Sequence, residues 1–286
     1  MEDYPWLGRR VIAYAHQGGA REAPSSTLYA IERAIEAGAP AIELDVHATS
    51  DRQIVVCHDP TLDRTTPVTG EIRHRTLAEL QELDNAFWFV EGEDVQPGRP
   101  DASYTLRGRA PGDHRLGIAS LEEILQQFPG VVLNLDIKRT APEVEPYEGI
   151  LAGLLRSYER RDDVIVASFN DNATAAFSRV APEIPTSAGT IATAEFFQSA
   201  RAGGPPPAAV LAHVALQVPA TYGEITVVDG AFVDAAHGAG LAVHVWTIDD
   251  RDEMERLLDL GVDGIISDVP SVLVQLLEER GAAWRP

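Results

Sequence analysis

Two histidines and three acidic residues lie where short apolar runs of this sequence end or present a polar face. His16 and His58 each follow such a run, and two imidazoles that titrate near neutrality can divide general-base and general-acid work. Glu43 and Asp45 alternate with apolar residues in one run, and Asp136 has the matching place in another. Three carboxylates that converge in a poorly hydrated pocket repel one another unless a cation binds them. Their oxygen ligands favour Mg²⁺ or Ca²⁺ over zinc, so the sequence predicts acid–base chemistry beside a divalent cation.

These residue types also have ordinary structural roles. Glu43 and Asp45 could be solvated or paired with arginines, and a single histidine at a strand end is more often a hydrogen-bonded structural residue. Asp136 repeats the inward polar pattern on a second strand, which favours a shared pocket over independent positions. His47 and His244 have strand positions of the same parity, so they remain weaker candidates for the pocket.

Lys138 is the only lysine among the 23 basic residues of the chain. It follows Asp136 by two residues and therefore shares the inward face of that strand. A compact ammonium that contacts a phosphate differs from the planar fork of arginine, so we expect Lys138 to bind a substrate phosphate. A structural ion pair with Asp136 or Glu43 is the alternative.

The elements that would position these residues alternate between strand and helix. Apolar runs predict strands at 11–15, 41–46, 54–57, 131–137, 164–168, 215–218, 241–246 and 264–267. Helical periodicity covers 26–37, 76–83, 121–128, 148–161, 173–180, 230–239, 250–260 and 271–280. About eight βαβ units in about 250 residues favour an α/β fold of the (β/α)8 TIM-barrel type over an open doubly wound sheet, which would carry a glycine-rich fingerprint. Asp268, just before Pro270, is expected to cap the last helix.

Two segments depart from the alternation. Residues 87–117 contain prolines and glycines without periodicity, which indicates an inserted loop or small subdomain over the mouth of the barrel. Residues 185–214 have no clear assignment beyond a loop at their three consecutive prolines. The sequence otherwise predicts one domain over residues 1–286.

The charge and composition of the chain exclude some classes of binding partner. The net charge of −21 argues against a nucleic-acid partner and against adhesion to anionic membranes. The first ten residues lack the apolar stretch of a signal peptide, and no run is long enough for a transmembrane helix. A single cysteine, Cys57, fits a reducing compartment. We therefore expect a cytoplasmic protein without a stable membrane anchor, and we make no prediction about its oligomeric state.

The motifs taken together resemble those of the glycerophosphodiester phosphodiesterase family. His16-Gln17-Gly18 is similar to the family's opening H-R-G, Glu43-Leu44-Asp45-Val46 to its E-x-D-V, and His58-Asp59 to its H-D. Further similar stretches are residues 62–66, 79–84, 243–247 and 261–270. The resemblance spans about residues 11 to 275, and the E-x-D and H-D motifs are highly specific together.

The resemblance implies a TIM-barrel phosphoric diester hydrolase of lipid metabolism that converts a glycerophosphodiester, a small molecule, to glycerol 3-phosphate and an alcohol. It implies roles in catalysis for His16 and His58, in binding Mg²⁺ or Ca²⁺ for Glu43, Asp45 and Asp136, and in substrate binding for Lys138 and Trp246. We favour His58 as the base and His16 as the acid. The family also carries an inserted subdomain where residues 87–117 lie.

Three departures from the family pattern affect the expected chemistry. Gln17 replaces an arginine that contacts phosphate, so it offers hydrogen bonds without charge, and Arg21 is a cation that could take over. Residues 24–27 lack the glutamate and asparagine of the family's P-E-N-T. Asp136 replaces a glutamate and is one methylene shorter, which suits the flexible coordination of Ca²⁺ better than that of Mg²⁺.

Two other functions remain open at this stage. A lysophospholipase D or a sphingomyelinase-D-like enzyme would use the same barrel, and a hydrophobic groove beside Trp246 and residues 87–89 would favour it. A non-catalytic phosphodiester-binding relative is suggested by Gln17 and residues 24–27. The presence of both histidines, all three acids and the one lysine argues against such a loss of activity.

Overall fold

Strands and helices alternate along the chain in the computed structural model, which describes Trp6 and residues 11–110 and 112–284. The strands are β1 (Ile12–His16), β2 (Ala41–Ala48), β3 (Ile54–Val56), β4 (Val132–Ile137), β5 (Val164–Ala167), β6 (Ala215–Pro219), β7 (Thr221–Tyr222), β8 (Ile225–Thr226), β9 (Ala242–Trp246) and β10 (Gly264–Ser267). The helices are α1 (Leu28–Glu36), α2 (Leu77–Gln81), α3 (Leu121–Gln127), α4 (Glu148–Ser157), α5 (Asp171–Val180), α6 (Thr190–Arg201), α7 (Gly230–Gly238), α8 (Arg251–Leu260) and α9 (Pro270–Glu279). In these ranges no helix has the length and apolar content needed to cross a membrane. Apart from Trp6, the first ten residues and their predicted lack of a signal peptide lie outside the described part.

The parallel strands close into a barrel. Neighbouring strands follow the order β5, β4, β2, β1, β10, β9, β6. Residues 185–188 join the two ends of this order, because the Ser187 amide donates to the Val166 carbonyl of β5 at 3.0 Å. On the other side, the Ala188 amide donates to the Ala215 carbonyl of β6, also at 3.0 Å. This short segment serves as the eighth strand, and the predicted (β/α)8 barrel is confirmed.

Most elements agree with the sequence, but the place of β3 does not, and α6, β7 and β8 were not predicted. All predicted strands and helices form, with ends within four residues of those expected. However, β3 pairs antiparallel with β2 and does not belong to the ring. Helix α6 lies in the segment 185–214 that carried no clear assignment. It buries only Ala192 and Phe196 along twelve residues, so its hydrophobic periodicity is weak.

The insertion is irregular, as predicted. The described residues of segment 87–117, which omit Pro111, contain two short 3₁₀ turns and neither strand nor α-helix. The Arg107 guanidinium lies over the rings of Phe87, Trp88 and Tyr104, at 4.3, 4.7 and 3.8 Å from their centroids. These three aromatic residues of the insertion therefore pack on its own arginine. The prediction of one domain over the whole chain stays a prediction.

Side-chain alternation in β2 separates the core from the barrel interior. Ile42, Leu44 and Val46 pack in the main hydrophobic core, which the helices share. Glu43 and Asp45 take the opposite parity and are almost fully buried. The strand therefore presents both carboxylates to the interior of the barrel.

Candidate active site

The polar side chains meet at the carboxyl ends of β1, β2 and β4. In the strand register, His16 pairs with Glu43, and Asp45 pairs with Asp136. Side chains in register on one face of neighbouring parallel strands lie side by side. Lys138 follows β4 directly and reaches back to the same group. The sequence predicted that three acids and a lysine on β2 and β4 share one pocket. The structure brings these four residues together, and His16 lies with them.

Each predicted catalytic histidine is held by an aspartate. Nδ1 of His16 lies 2.7 Å from Oδ1 of Asp268, and Nδ1 of His58 lies 2.6 Å from Oδ1 of Asp59. Because a carboxylate accepts at Nδ1, this nitrogen carries a proton and Nε2 is the atom that can exchange one. The two ring centroids are 6.4 Å apart, with the planes at 85°. The two imidazoles therefore lie edge to face, close enough to contact the same substrate group.

Asp268 corrects one expectation from the sequence. It does not cap α9: the N-cap of that helix is Val269, which makes no side-chain cap, and the Ser271 amide donates to Glu22 instead. The Asp268 carboxylate bonds to His16, 252 positions away in the chain, and its own amide donates to Asp249 at 2.8 Å. Closure of the barrel creates this contact by placing β10 beside β1, so no local sequence pattern reveals it.

The partners of the two histidines give them different electrostatic surroundings. Burial opposes the charged form of His16, but its hydrogen bond to Asp268 and the charge of Glu43 raise its pKa to about 9. Asp59 also accepts from Nε of Arg64 at 2.7 Å, and its bonds to His58 and Arg64 lower its pKa to about 2. Arg64 therefore holds Asp59 ionised beside His58, a role that sequence reasoning missed.

Lys138 lies between two of the three acids. Its Nζ is 2.9 Å from Oδ1 of Asp45 and 3.2 Å from Oδ2 of Asp136. Burial and repulsion by Asp45 raise the pKa of Glu43, and burial also raises that of Asp136. Even with one ammonium group beside them, Glu43 and Asp136 therefore resist ionisation in the cation-free protein.

The carboxyl groups fit a hard divalent cation. Oδ2 of Asp45 and Oδ1 of Asp136 are buried without a hydrogen-bond partner, and Glu43 adds further oxygens to the group. Unpartnered buried carboxylate oxygens are costly in the absence of a counter-charge and are the ligands that Mg²⁺ and Ca²⁺ prefer. Within residues 11–110 and 112–284, no three acidic, histidine or cysteine side chains stand as a complete metal-binding set, and Lys138 occupies the position between Asp45 and Asp136.

Gln17 adjoins His16, whereas the Arg21 side chain is engaged by two aspartates. The side-chain Nε2 of Gln17 is 3.1 Å from Nε2 of His16, and its buried Oε1 has no partner. Gln17 can therefore offer hydrogen bonds to a ligand beside this imidazole, but no charge. The Arg21 guanidinium instead lies 3.7 Å from both Asp94 and Asp249. Compensation for the missing family arginine by Arg21 stays a prediction.

An aromatic wall stands beside the lysine. Trp246 ends β9 and packs edge-on against Phe169, with ring centroids 5.4 Å apart. Phe169 lies just beyond β5, and its ring centroid is 5.7 Å from Nζ of Lys138. Sequence reasoning selected Trp246 and missed Phe169, whose only signal was an aromatic residue directly after a strand.

The two weaker histidine candidates have different surroundings. Nε2 of His47 lies 3.5 Å from the carbonyl oxygen of His58, and burial lowers the pKa of His47 to about 4. His244 packs against Tyr14 inside the barrel, and neither of its ring nitrogens has a hydrogen-bond partner in the described chain. Burial lowers its pKa to about 3. His47 therefore supports the strand end that carries His58, and His244 belongs to the barrel interior.

A cavity of about 590 Å³ lies beside the end of β2, and none of the predicted catalytic histidines or acids lines it. His47, Pro60 and Arg139 line it, and each lies within two positions of a residue of the site. Arg52 and Arg73 contribute charge on its far wall. Its size allows a small molecule to enter, but it is not the space between the two catalytic histidines.

The whole site lies within the part of the chain that matches a family model. That model is the glycerophosphoryl diester phosphodiesterase family, matched over residues 16–272. A glycerophosphodiester phosphodiesterase from Caldanaerobacter subterraneus subsp. tengcongensis is 28% identical over 279 residues, which cover 95% of this chain and 100% of that protein. A lysophospholipase D from Homo sapiens is 24% identical over 303 residues, with coverage of 94% and 86%. A phosphodiesterase structure from Oleispira antarctica, in complex with the product sn-glycerol 3-phosphate, has the same fold, with a TM-score of 0.67, 23% identity and coverage of 94% and 97%.

Proposed function

The chain belongs to the glycerophosphoryl diester phosphodiesterase family, and on that premise we propose that it hydrolyses glycerophosphodiesters to glycerol 3-phosphate and an alcohol. One observation carries the proposal: two aspartate-held imidazoles, 6.4 Å apart, stand beside three buried carboxyl groups and a lysine. This arrangement offers a proton acceptor, a proton donor and a place for positive charge around one phosphate. The product named for the Oleispira antarctica relative is compatible with it.

The two histidines divide the proton transfers. His58, oriented by Asp59, would take a proton from the attacking hydroxyl, either water or the glycerol 2-hydroxyl. His16 lies among acidic groups, with Asp268 at 2.7 Å and Glu43 at 3.7 Å, so these charges favour its protonated form. His16 would therefore protonate the leaving oxygen through Nε2.

The remaining residues bind and orient the substrate. Glu43, Asp45 and Asp136 would hold Mg²⁺ or Ca²⁺, which supplies positive charge to a non-bridging phosphate oxygen when bound. With these carboxyl groups engaged, Nζ of Lys138 would turn from Asp45 and Asp136 to the phosphate.

The neutral and aromatic residues complete the substrate contacts that we propose. Gln17 would donate an uncharged hydrogen bond to the phosphate, and Trp246 would cover the glycerol portion. Arg21 would contact the phosphate by turning away from Asp94 and Asp249.

Release of glycerol 3-phosphate from glycerophosphocholine and glycerophosphoethanolamine tests the proposal. We expect release with added Ca²⁺ or Mg²⁺ and a loss of at least about 10²-fold after chelation, because a bound cation contributes several kcal/mol to the transition state of phosphoryl chemistry. Ca²⁺ should restore more activity than Mg²⁺, since the short side chain of Asp136 demands flexible coordination. Full turnover in a chelator would contradict the proposed role of the carboxyl groups, and no release from either diester would contradict the function itself.

Asp268→Asn should lower kcat by roughly 10- to 10³-fold. The amide keeps the size of the side chain but removes the charge that favours protonated His16. The measurement is kcat as a function of pH, where the variant should lose activity at a lower pH than the parent, because its imidazolium deprotonates more easily. Asp268→Glu, which retains a carboxylate, is the matched control and should recover part of the activity. An unchanged pH profile together with reduced thermal stability would indicate a purely structural role.

A further inference from the structure

Three arginines from separate parts of the chain line the cavity beside the end of β2. Arg52 comes from the turn between β2 and β3, Arg73 from the segment before α2, and Arg139 from the end of β4. The cavity has a volume of about 590 Å³ and lies outside the proposed catalytic centre. In a chain with a net charge of −21, these three guanidinium groups concentrate positive charge at one concave site.

Two of these arginines fix the wall of the cavity. The Arg52 guanidinium donates to the carbonyl oxygens of Glu145 and Pro146. Nη1 of Arg73 donates to the carbonyl oxygen of Glu143 at 3.0 Å. Each guanidinium has five N–H donors, so both retain donors beyond these contacts. The loop after β4 is therefore held in place before a ligand enters, which lowers the entropic cost of binding.

The backbone of Arg52 also indicates a role for its side chain. Its φ is +64°, in the left-handed region, which glycine adopts without cost and which costs other residues about 1 kcal/mol or more. From this position the side chain reaches carbonyl groups 93 and 94 positions farther along the chain. A glycine would suit the turn better, so the arginine is explained by its contacts at the cavity.

Arg139 is the guanidinium with unused donors. Its side chain makes no hydrogen bond to any described residue, and its ion pair with Glu143 spans 3.9 Å from Nε. Glu143 is also the residue whose carbonyl oxygen accepts from Arg73, so the two guanidinium groups adjoin the same residue. Arg73 and Arg139 can therefore contact one anion together.

Three glutamates also line the cavity: Glu71, Glu143 and Glu145. The side chains of Glu143 and Glu145 are 66% and 76% exposed. Their partners Arg139 and Arg52 are each 31% exposed, so the guanidinium groups lie deeper than these carboxylates. Water screens such long, exposed ion pairs, and only Glu71 bonds closely to its arginine. The deeper part of the cavity therefore carries more guanidinium than carboxylate charge.

This lining favours a ligand with more than one negative charge. A phosphate monoester carries a charge of about −1.5 to −2 at neutral pH and three acceptor oxygens, which match planar guanidinium donors on more than one side. A phosphate diester or a single carboxylate carries one charge. The buried side chains of Ile72 and Tyr147 line the same cavity and offer apolar contact to the organic part of a ligand.

We propose that this cavity is a second site, which binds a small phosphate monoester through Arg73 and Arg139, with Arg52 holding its wall. The inference goes beyond the proposed function, since binding here requires neither the histidines nor the cation. Glycerol 3-phosphate, the product under the proposed function, belongs to this class of ligand, whereas the diester substrate does not. The site therefore distinguishes product from substrate by charge.

Calorimetry at low ionic strength tests the site with inorganic phosphate, glycerol 3-phosphate and dimethyl phosphate as probes. The titration is made near pH 8, where a monoester has lost its second proton. The protein is freed of divalent cations by gel filtration, because a polycarboxylate chelator could itself occupy the cavity. The parent should bind one phosphate or glycerol 3-phosphate per chain, and dimethyl phosphate at least about tenfold more weakly because it has a single charge.

Substitutions locate the bound phosphate. Arg139→Gln should raise the Kd at least about tenfold, because it removes hydrogen bonds between charged groups. Its thermal stability should match that of the parent, since the Arg139 side chain makes no hydrogen bond within the described chain. Arg139→Lys, which keeps the charge without the planar fork, should recover part of the affinity. Arg33→Gln is the matched control, because the Arg33 side chain is 58% exposed on α1 and should leave the Kd unchanged. Lys138→Gln should retain most of the affinity.

Each contrary result overturns the inference in a different way. Loss of phosphate binding in Lys138→Gln but not in Arg139→Gln would place the phosphate in the catalytic centre. Equal affinity for dimethyl phosphate would remove the preference for a monoester. Binding of choline that Glu143→Gln weakens, without binding of phosphate, would assign the cavity to a cation. Absence of saturable phosphate binding would overturn the site itself, whereas absence of diester turnover would overturn the proposed function alone.

Discussion

His16→Ala and His58→Ala are each expected to lower kcat by about 10² to 10⁴-fold at saturating substrate and cation. Each substitution removes an aspartate-held imidazole that we propose as the base or the acid, and neither His16 nor His58 is among the proposed cation ligands. Cation binding, measured by calorimetry, should therefore persist in both variants. The double variant should lose little more than either single variant, because an acid and a base that act on one substrate in concert give non-additive losses.

An exposed histidine provides the control for these substitutions. The His74 side chain is 69% exposed, so His74→Ala should leave kcat unchanged. Retention of turnover in both single variants would contradict the acid–base assignment. If only His58→Ala retained turnover, the base would have to be sought elsewhere, while the role of His16 would stand.

The fold was largely predictable because burial in a parallel barrel imposes local patterns. The alternation in β2, with Ile42 and Leu44 outward and Glu43 and Asp45 inward, is visible in the sequence because each residue has one parity. The closing segment 185–188 could not be predicted in this way, because it forms only isolated bridges to β5 and β6 and is too short to show a periodic pattern. Ring closure is a global property that depends on all eight strands.

A residue of the site could be predicted only where its own type and position in the sequence indicate a function. The carboxyl groups and histidines combine a chemically distinctive side chain with a strand-end position. Asp268 and Arg64 act through other side chains, and their partners are set by tertiary contacts: Asp268 meets His16 only because β10 lies beside β1. Phe169 has a commonplace residue type, and its proximity to Lys138 and Trp246 follows from the curvature of the barrel.

Because Gln17 stands where the family pattern has an arginine, other positive groups would have to bind the phosphate. Gln17 lies against His16 and carries no charge, and Arg21 is engaged with two aspartates. Lys138 and the proposed cation are then the positive groups nearest the phosphate. We therefore expect activity to depend more strongly on the carboxyl groups, which would hold the proposed cation when they are ionised.

Glu43→Gln should distinguish the proposed role of Glu43 in cation binding from its effect on the free energy of unfolding. Burial and the charge of Asp45 raise the pKa of Glu43, so its ionisation opposes folding in the cation-free protein. An acid with a raised folded-state pKa loses stability as pH rises from its unfolded value through the folded one. Near neutral pH, the cation-free variant should therefore be more stable than the parent by about 1–2 kcal/mol, and its stability should fall less as pH rises. Urea unfolding at several pH values in a chelator measures both effects.

Glu43→Gln should also reduce the stabilisation and the activity that the protein gains from the proposed cation. Removing one anionic ligand weakens divalent binding, so Ca²⁺ should stabilise Glu43→Gln much less than the parent, and kcat should fall at least about 10²-fold. Glu36→Gln is the matched control, because the Glu36 side chain is 59% exposed and the change should alter neither stability nor turnover appreciably. A less stable cation-free variant would mean that the contact of Glu43 with His16 outweighs its repulsion by Asp45. Stabilisation without loss of activity would remove Glu43 from the proposed cation site, since a ligand that must be ionised to bind a metal cannot be replaced by a neutral amide without cost to binding.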